Sequence, residues 1–443
     1  MEDDGFILVP MPEHAEECSP DKPKASKDGD DSPSFLSEID SFVDSLAETL
    51  WPLNNFIHQN PELAYQEHKA HKALTDFMRT QKPAWEVSPG AYGIPTAWTA
   101  LFDSGKPGPF VSFNVEMDAL PNIGHACGHN LIATASLAAG LATARIMTKH
   151  NLPGKILILG TPGEEGHDGG KIRLLKAGAY KDVDVTLISH PGILNNSPLV
   201  RTTAFARLEV EYVGQAAHAA NSPWKGTNAL DALVVAYNAI SALRQQTMPE
   251  DVIGLSITNG GGEAANVIHP FASGVCVLRS SASSRLETLV SKVEACFHAG
   301  AQATGAKVNI KVIQGYQDHV PNRVLAKSYA QYWNSLPDVP QPRIPECGQV
   351  TFVKASTDQG NLSHVLPSVN ASFAIPPGPE RGMPHSKDFE ISSGRYGAFE
   401  RALRVGKALA GTAVDVLSVE GRVEEVWREW KRDMQDIEKN SEY

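Results

Sequence analysis

Short apolar runs alternate with amphipathic stretches through the first half of the chain. The pattern predicts strands in "FVSFNVEMDALP", "KILILGTP" and "VTLISHP", the first of which enters a loop after its apolar part. Helices are predicted between these strands, over residues 131–147 and in "GGKIRLLKAGAY". Strands and helices that alternate in this way are typical of an α/β fold with a mainly parallel sheet.

Residues 205–315 follow a different order of elements. Here the pattern predicts a strand, a helix, two strands, a helix and a final strand, from "FARLEVEYV" to "VNIKVI". This β-α-β-β-α-β order is the ferredoxin-like unit, and we interpret it as an α+β domain inserted within the first one. The predicted organisation is a tail over residues 1–32, an α/β domain from residues 33–203 and 316–443, and an inserted domain over residues 204–315.

Most of the net charge lies in the first 32 residues. The chain carries −12 in total, of which residues 1–32 account for −7 and the other 411 residues for −5. The body has no basic stripe, so we expect neither a nucleic-acid partner nor a membrane partner. An uncharged run near residues 129–144 is diluted by Asn, Thr and Ser, and we interpret it as a buried helix. The acidic tail is expected to be disordered.

Removal of residues 1–32 is expected to leave the fold and the turnover intact, because this segment carries charge and proline but no periodic apolar pattern. The measurement compares kcat, KM and Tm of the full chain with those of a chain that begins at residue 33. A truncated protein that lost activity or solubility would show instead that the tail packs on the body.

Side chains that bind metals follow the ends of predicted strands or lie in one later loop: His125, Cys127, His129, Glu164, Glu165, His190 and His385. In parallel sheets the strand ends meet at one edge, where chemistry is usually found. Thiolate, imidazole and carboxylate together suit zinc or a similar divalent ion. For "HACGH" alone, a disulfide partner beside chance histidines and a small zinc knuckle remain alternatives. The five cysteines are scattered and odd in number, which favours a reducing, cytoplasmic compartment over a disulfide framework.

Several of these motifs resemble those of a known family, the dinuclear metal-dependent exopeptidases and amidohydrolases that include aminoacylase, acetylornithine deacetylase and carboxypeptidase G. The resemblance covers about residues 35–420. Within the family, "MDALP" with "GHACGH", "GTPGEEG" with "GGK", and "SHP" look like the auxin-conjugate amidohydrolases. The strings "HACGHNLI" and "STDQGNLSH" are similar to those of the dipeptidases that act on β-alanyl-lysine and Xaa-Arg.

The resemblance implies a role for each residue of the site. Two divalent ions per subunit are implied, zinc first, with manganese or cobalt as alternatives. Their ligands would be Cys127, His129, Glu165, His190 and His385. Glu164 would be the general base that takes a proton from water and returns it to the leaving amine. Asp118 would orient a ligand or the water, and His125 would support the ligands without binding metal.

The inserted domain is, by the same resemblance, a lid that also forms a homodimer. Arg279 and Asn266 would grip a substrate carboxylate, for which a guanidinium group is suited. His218 would reach the site of the partner subunit and donate a hydrogen bond to the developing oxyanion. Taken as a single residue, Arg279 is explained equally well as an ordinary charge at the end of a strand. The thirteen-residue gap from Asn266 to Arg279 matches the lid spacing of the family and favours a function.

The sequence departs from the auxin-amidohydrolase pattern in two places. Asn130 follows His129 where that motif has an aspartate, and His167 with Asp168 fills a place that is usually small and rich in glycine. Both changes lie beside the expected site, so either of them could alter the choice of metal or substrate. Neither removes one of the implied ligands.

The sequence therefore predicts a metal-dependent amide hydrolase that cleaves a dipeptide with a free C-terminal carboxylate, and the resemblance adds a basic C-terminal residue as an expectation. Three alternatives remain at this stage. The substrate could be an N-acyl amino acid, the same site could form an amide in a biosynthetic pathway, or the protein could keep the fold as a binding protein without turnover. The complete ligand set together with Glu164 argues against the last of these.

Overall fold

The structure is a computed structural model that describes residues 33–345 and 348–440. The predicted tail over residues 1–32 and Cys347 lie outside the described residues. The described part begins with three helices, which are followed by the strands of a central sheet. The strands of a second sheet lie in the sequence between the fifth and the last strand of the central sheet.

The α-helices of the described residues are α1 (Leu36–Ser45), α2 (Ala47–Gln59), α3 (His68–Thr80), α4 (His129–His150), α5 (Gly170–Lys176), α6 (Ala229–Ala242), α7 (Ser283–Thr304), α8 (Arg323–Ser335), α9 (Gln359–Ser363), α10 (Lys387–Ser393), α11 (Tyr396–Ser418) and α12 (Arg422–Asn440). The helix predicted over residues 131–147 is the middle of α4. The helix predicted in "GGKIRLLKAGAY" is shorter than expected and ends at Lys176, because a turn with Gly178 in the left-handed region follows it.

The strands of the described residues are β1 (Glu86–Pro89), β2 (Trp98–Asp103), β3 (Phe110–Glu116), β4 (Lys155–Thr161), β5 (Val185–Gly192), β6 (Val200–Thr202), β7 (Ala204–Val213), β8 (Ala217–His218), β9 (Val252–Asn259), β10 (Val267–Ile268), β11 (Phe271–Ser280), β12 (Lys307–Tyr316), β13 (Thr351–Val353) and β14 (Ser368–Ala374). Short parallel pairing also joins β6 to β13.

The central sheet has the strand order β1-β2-β4-β3-β5-β14. The pairs β4–β3, β3–β5 and β5–β14 are parallel, whereas β1 and β2 pair antiparallel at one edge. The mainly parallel sheet that the sequence predicts is therefore confirmed. Strands β3, β4 and β5 are almost wholly buried because helices cover both faces, which explains why their sequences are continuous apolar runs.

Helix α4 forms the centre of the main core and packs closely against α11. Small residues make this approach possible, because a Cβ atom added at Gly406 of α11 would lie 2.8 Å from Cβ of Ala138. On its other side α4 packs on the sheet, where a Cβ atom added at Gly140 would lie 2.5 Å from Cδ1 of Ile158 in β4. By length and composition α4 is the one helix of the described residues that could cross a membrane, yet 89% of its most apolar window is buried inside the protein. It has the burial of a core helix.

The inserted sheet, hereafter the lid, has the antiparallel order β12-β7-β11-β9, and α6 and α7 cover one of its faces. Numbered along the chain of the lid, this is the order 4-1-3-2 of a ferredoxin-like unit, as the sequence predicts. The lid strands run from Ala204 to Tyr316, and the small pair β8–β10 lies outside the main lid sheet. The domain boundaries at residues 203, 204, 315 and 316 stay a prediction.

Candidate metal centre

The site lies where three parallel strands end at the same edge of the central sheet. Strand β3 ends with Glu116 and leads to Asp118, and the loop after β4 carries Glu164 and Glu165. His190 lies near the C-terminal end of β5. Since carboxyl ends of parallel strands meet at one edge, residues far apart in the sequence are brought together here.

Glycine is required at two close approaches beside the site. Gly128 precedes α4 with φ at +81°, and a Cβ atom there would lie only 2.5 Å from Cγ of Pro191. Gly163 precedes the glutamate pair with φ at +71°, and a Cβ atom there would lie 2.6 Å from Cζ of Tyr65. Both residues let the loops that carry the predicted ligands pack tightly against neighbouring segments.

Five predicted ligands converge in the structure. The ligand atoms of Cys127, His129 and His190 lie within 4.8 Å of one another, and so do those of Cys127, Glu165 and His385. The Sγ atom of Cys127 is 3.2 Å from Nε2 of His190, and Nε2 of His385 is 3.1 Å from Oε1 of Glu165. Cys127 belongs to both groups, so the arrangement offers two neighbouring positions for a cation.

Hydrogen bonds turn the histidines toward the centre of this cluster. Nδ1 of His129 lies 3.2 Å from Oδ1 of Asp118, and Nδ1 of His190 lies 2.9 Å from the carbonyl oxygen of Pro191. These partners suit an N–H at Nδ1 and leave each Nε2 free to bind a metal. Asp118 also accepts a hydrogen bond from the backbone N–H of Glu165 at 2.8 Å. It therefore orients two of the predicted ligands at once.

The residues fit a pair of divalent ions. Nε2 of His129 is buried and has no hydrogen-bond partner in the part of the chain that the structure describes. Buried polar atoms are normally satisfied, so an imidazole nitrogen of this kind within the cluster is suited to bind a cation. A donor set of sulfur, imidazole nitrogen and carboxylate oxygen suits zinc-type ions better than calcium or magnesium.

Glu164 and Glu165 have opposite electrostatic environments. Burial raises the pKa of Glu164 well above its usual value, and the charges of Glu116 and Glu165 raise it further. Burial also acts to raise the pKa of Glu165, but the hydrogen bond from His385 and the charge of His129 outweigh it and lower that pKa. Neighbouring carboxyls whose pKa values are pushed apart are suited to different tasks, one as an acid–base group and the other as a ligand.

A buried ion cluster beside the ligands was not found by sequence reasoning. The Nζ atom of Lys171 lies 2.6 Å from Oε1 of Glu116 and 2.5 Å from Oδ1 of Asp358, and all three side chains are buried. Burial acts to lower the pKa of Lys171, but the charges of Asp358 and Glu116 outweigh it and raise that pKa well above its usual value. Carboxyl oxygens of Glu116, Glu164 and Asp358 lie within 4.8 Å of one another, and the ammonium group of Lys171 pairs with Glu116 and Asp358.

His125 and Asn130, the other polar residues around Cys127 and His129, are buried against neighbouring helices. His125 is buried and its ring stacks on that of His58 at 6.2 Å, and burial lowers the pKa of His125 to about 3. Asn130 is also buried and donates hydrogen bonds to Oδ1 of Asn54 and to the carbonyl oxygen of Ser393, both at 3.0 Å. The side chain of Asn130 thus joins α4 to α2 and to the end of α10. His167 and Asp168 are exposed.

The predicted lid residues are not part of this cluster. His218 and Asn266 are exposed, and Nδ1 of His218 accepts hydrogen bonds only from the nearby N–H groups of Ala220 and Asn221 among the described contacts. Arg279 contacts the other domain, because its Nη1 donates to Oγ of Ser356 at 2.7 Å. Their proposed contacts with a substrate stay predictions.

Comparisons with known proteins identify the relatives of this chain. The sequence profile of the peptidase family M20/M25/M40 matches residues 112–398. The chain is 39% identical over 404 residues to the Xaa-Arg dipeptidase of Mus musculus, and this alignment covers 89% of the chain and 91% of the relative. The Xaa-Arg dipeptidase of Homo sapiens is 37% identical over 408 residues, with the same coverage of both chains.

Solved structures share the fold at lower identity. An aminobenzoyl-glutamate utilization protein from Klebsiella pneumoniae superposes with a TM-score of 0.61 at 17% identity, covering 86% of this chain and 98% of the other. A dinuclear metal-binding peptidase from Bacillus subtilis gives a TM-score of 0.58 at 17% identity and covers 84% and 99% of the two chains. With a profile that spans most of the chain and relatives that align over nearly all of it, this protein is a hydrolase that belongs to the peptidase family M20/M25/M40.

Proposed function

We propose that this protein is a dipeptidase that depends on two zinc ions and hydrolyses dipeptides with a basic C-terminal residue. The observation that carries the proposal is the overlap of two ligand groups at Cys127, with Glu164 beside them. We also propose that the protein acts in the cytoplasm as a homodimer joined through the lid. The similarity to two Xaa-Arg dipeptidases supports the choice of substrate.

The metal ligands in this proposal are Cys127, His129, Glu165, His190 and His385. When bound, the ions supply Lewis-acid activation of the scissile carbonyl and of water, and their positive charge lowers the pKa of nearby carboxyl groups. Asp118 fixes the ring of His129 and the backbone of Glu165, which keeps the ligands in place during turnover.

Glu164 moves the proton. Its Oε2 lies 3.9 Å from Nε2 of His129, so the carboxyl group borders the ligands while Glu165 contacts His385. As general base, Glu164 takes a proton from the attacking water at a carboxylate oxygen and then donates it to the departing amine nitrogen. Its buried position excludes bulk water from competing for that proton.

The substrate carboxylate is assigned to the lid. Arg279 has five N–H donors in a planar fork, and its described hydrogen bond to Ser356 uses one of them. The remaining donors can pair with a carboxylate in a bidentate manner. Asn266 and His218 are proposed to complete recognition, His218 from the partner subunit.

The proposal is tested by a substrate screen. Purified protein loaded with zinc is incubated with dipeptides ending in Arg, Lys, Leu or Asp and with the corresponding N-acetyl amino acids, and amine release is measured. We expect the highest kcat/KM for dipeptides ending in Arg or Lys. Preference for N-acetyl amino acids would replace the dipeptidase assignment by an aminoacylase, and absence of turnover on all of them would reject both.

Replacement of Arg279 by alanine is expected to raise KM for these dipeptides by about 10²-fold, because a charge-assisted pair with the substrate is lost. The kcat value is also expected to fall, because binding of the substrate carboxylate helps to position the scissile amide. Steady-state kinetics measure both values. Arg244→Ala, which removes an exposed arginine elsewhere in the lid, is the matched control. Equal KM values for the two variants would contradict a role for Arg279 in binding.

A further inference from the structure

Three side chains form a row across neighbouring strands at the base of the lid sheet. Arg279 of β11 lies opposite Phe205 of β7, and Phe205 lies opposite Tyr316 of β12. Side chains directly opposite one another on paired strands project on the same face and contact each other. The guanidinium carbon of Arg279 lies 4.7 Å from the centre of the Phe205 ring, and the rings of Phe205 and Tyr316 are 6.0 Å apart.

The last member of the row contacts the loop that carries Glu164. The hydroxyl group of Tyr316 donates to the carbonyl oxygen of Glu164 at 2.7 Å, and this oxygen pair is buried. Gln314, two residues earlier on the same strand, donates from Nε2 to the carbonyl oxygen of Gly166 at 2.9 Å. Burial raises the pKa of Tyr316 far above its usual value, so the hydroxyl group keeps its proton at any working pH. The end of a lid strand therefore holds the backbone on both sides of Glu165.

The same loop is held from the other side by the α/β domain. Oε1 of Glu67 accepts a hydrogen bond from the backbone N–H of Gly163 at 2.8 Å, and Glu67 is itself fully buried. The loop with Glu164 is thus held by both domains. Among the described lid contacts with this loop, the bond from Tyr316 is the one that reaches the backbone of Glu164 itself, so the orientation of the lid reaches Glu164 through that tyrosine.

The first member of the row faces the junction between the domains. Arg279 donates to Oγ of Ser356, and Ser356 in turn donates to the carbonyl oxygen of Thr203 at 2.7 Å, next to the first residue of the lid. The row Arg279, Phe205 and Tyr316 therefore spans both of the connections between the lid and the α/β domain, which are at Thr203 and after Tyr316.

We propose that this row couples binding of the substrate carboxylate at Arg279 to the placement of Glu164, and that Tyr316 is a positioning residue. The inference rests on the proposed function. Arg279 bound to a carboxylate fixes the ring of Phe205 beneath it, Phe205 fixes Tyr316, and the Tyr316 hydroxyl group fixes the backbone carbonyl of Glu164. A substrate without the carboxylate leaves the general base less well placed, so the carboxylate raises kcat as well as lowering KM.

The test compares a dipeptide that ends in Arg with its C-terminal amide in the zinc-loaded wild-type protein and in Tyr316→Phe. The wild-type protein is expected to show a higher kcat for the dipeptide than for the amide. Tyr316→Phe is expected to lose about 10-fold in kcat on the dipeptide, as for loss of one buried hydrogen bond, and to lose the difference in kcat between the two substrates. The ratio of their KM values is expected to persist because Arg279 is intact.

Tyr212→Phe is the matched control. The Tyr212 hydroxyl group also makes a buried 2.7 Å hydrogen bond to a backbone carbonyl oxygen within the lid, that of Phe297, but it does not belong to the row. This variant is expected to keep the wild-type kinetic pattern. If Tyr316→Phe behaves like Tyr212→Phe, or lowers kcat equally for the dipeptide and its amide, the coupling is rejected while the dipeptidase assignment stands.

Hydrogen exchange gives a readout that does not need turnover. In the zinc-loaded wild-type protein, free arginine at saturating concentration is expected to slow amide exchange over residues 163–170, and Tyr316→Phe is expected to abolish this effect. An arginine effect that is equal in both proteins, or missing from the wild type, overturns the coupling. A protein that shows the exchange effect without cleaving any dipeptide would contradict the proposed reaction and leave the coupling in place.

Discussion

Replacing Glu164 by glutamine is expected to lower kcat by about 10²–10⁴-fold while the metal content stays at two ions per chain. Glutamine has nearly the same shape but cannot accept and return a proton, so the loss falls on the chemical step. The different surroundings of Glu164 and Glu165, one with a raised pKa and the other hydrogen-bonded to His385, are the reason for this expectation. Kinetics and elemental analysis on the same preparation provide the measurement.

Glu165→Gln is the control for this experiment. It makes the same chemical change one residue later and is expected to shed metal, because Glu165 shares a ligand group with Cys127 and His385. If Glu164→Gln kept a near-normal kcat, or lost its ions while Glu165→Gln retained them, the roles assigned to the two carboxyl groups would be wrong.

Cys127→Ser is expected to weaken metal retention by at least about 10²-fold and to lower turnover in proportion to the metal lost. Replacing a residue that only hydrogen-bonds to a metal ligand typically lowers the affinity for the metal by about 10–100-fold. Here the ligand itself is removed. Cys127 is shared by both overlapping groups, so its loss affects both positions. The measurement is zinc content after dialysis against a competing chelator, followed by activity after zinc, manganese or cobalt is restored.

The matched control for the thiol is Cys276→Ser. Cys276 is also a buried free thiol, but it lies in the core of the lid. Its replacement is expected to leave about two ions per chain bound, even where the melting temperature falls. Equal metal loss in both variants would show that Cys127 is not a ligand, and a wild-type protein that never retains metal would contradict the metalloenzyme assignment.

The apolar pattern was sufficient to predict most of the fold because its strands are buried on both faces. In "KILILGT" each residue after Lys155 is buried, and this run lies in the centre of the sheet as β4. The antiparallel edge was not predicted. Strand β1 is exposed along most of its length, and its four residues carry little apolar signal. The pairing partner of such a strand depends on tertiary contacts rather than on its own sequence.

The convergence of the candidate ligands could be predicted from strand ends and motif resemblance, but the ion cluster around Lys171 could not. Glu116 and Asp118 lie two residues apart at the end of β3, and the period of a strand would have placed them on one face. Lys171 in the first turn of α5 and Asp358 just before α9, however, are 187 residues apart in the sequence. Only the folded chain shows that a lysine in a glycine-rich segment is fully buried and pairs with two carboxyl groups.

The coupling through Tyr316 could not be predicted from the sequence either. The lid residues Arg279, Phe205 and Tyr316 are distant along the chain and become neighbours through the register of three antiparallel strands. A shift of that register by one residue would turn the side chains to the other face of the sheet. Strand prediction gives the elements of the lid, whereas the pairing that makes the row is a property of the folded sheet.

The insertion of the lid between β5 and β14 also sets an order for folding. All four main strands of the lid are contiguous in the chain, so this sheet can form as soon as Tyr316 has been synthesised. The central sheet must wait, because β5 gains its second partner, β14, only when Ser368 pairs with Thr186, and α4 is covered only when α11 has been synthesised. Pairing over such a sequence separation is slow. Newly made chains therefore expose an unpaired edge at β5 and the apolar surface of α4 after the lid has folded, and this intermediate is the stage most exposed to aggregation.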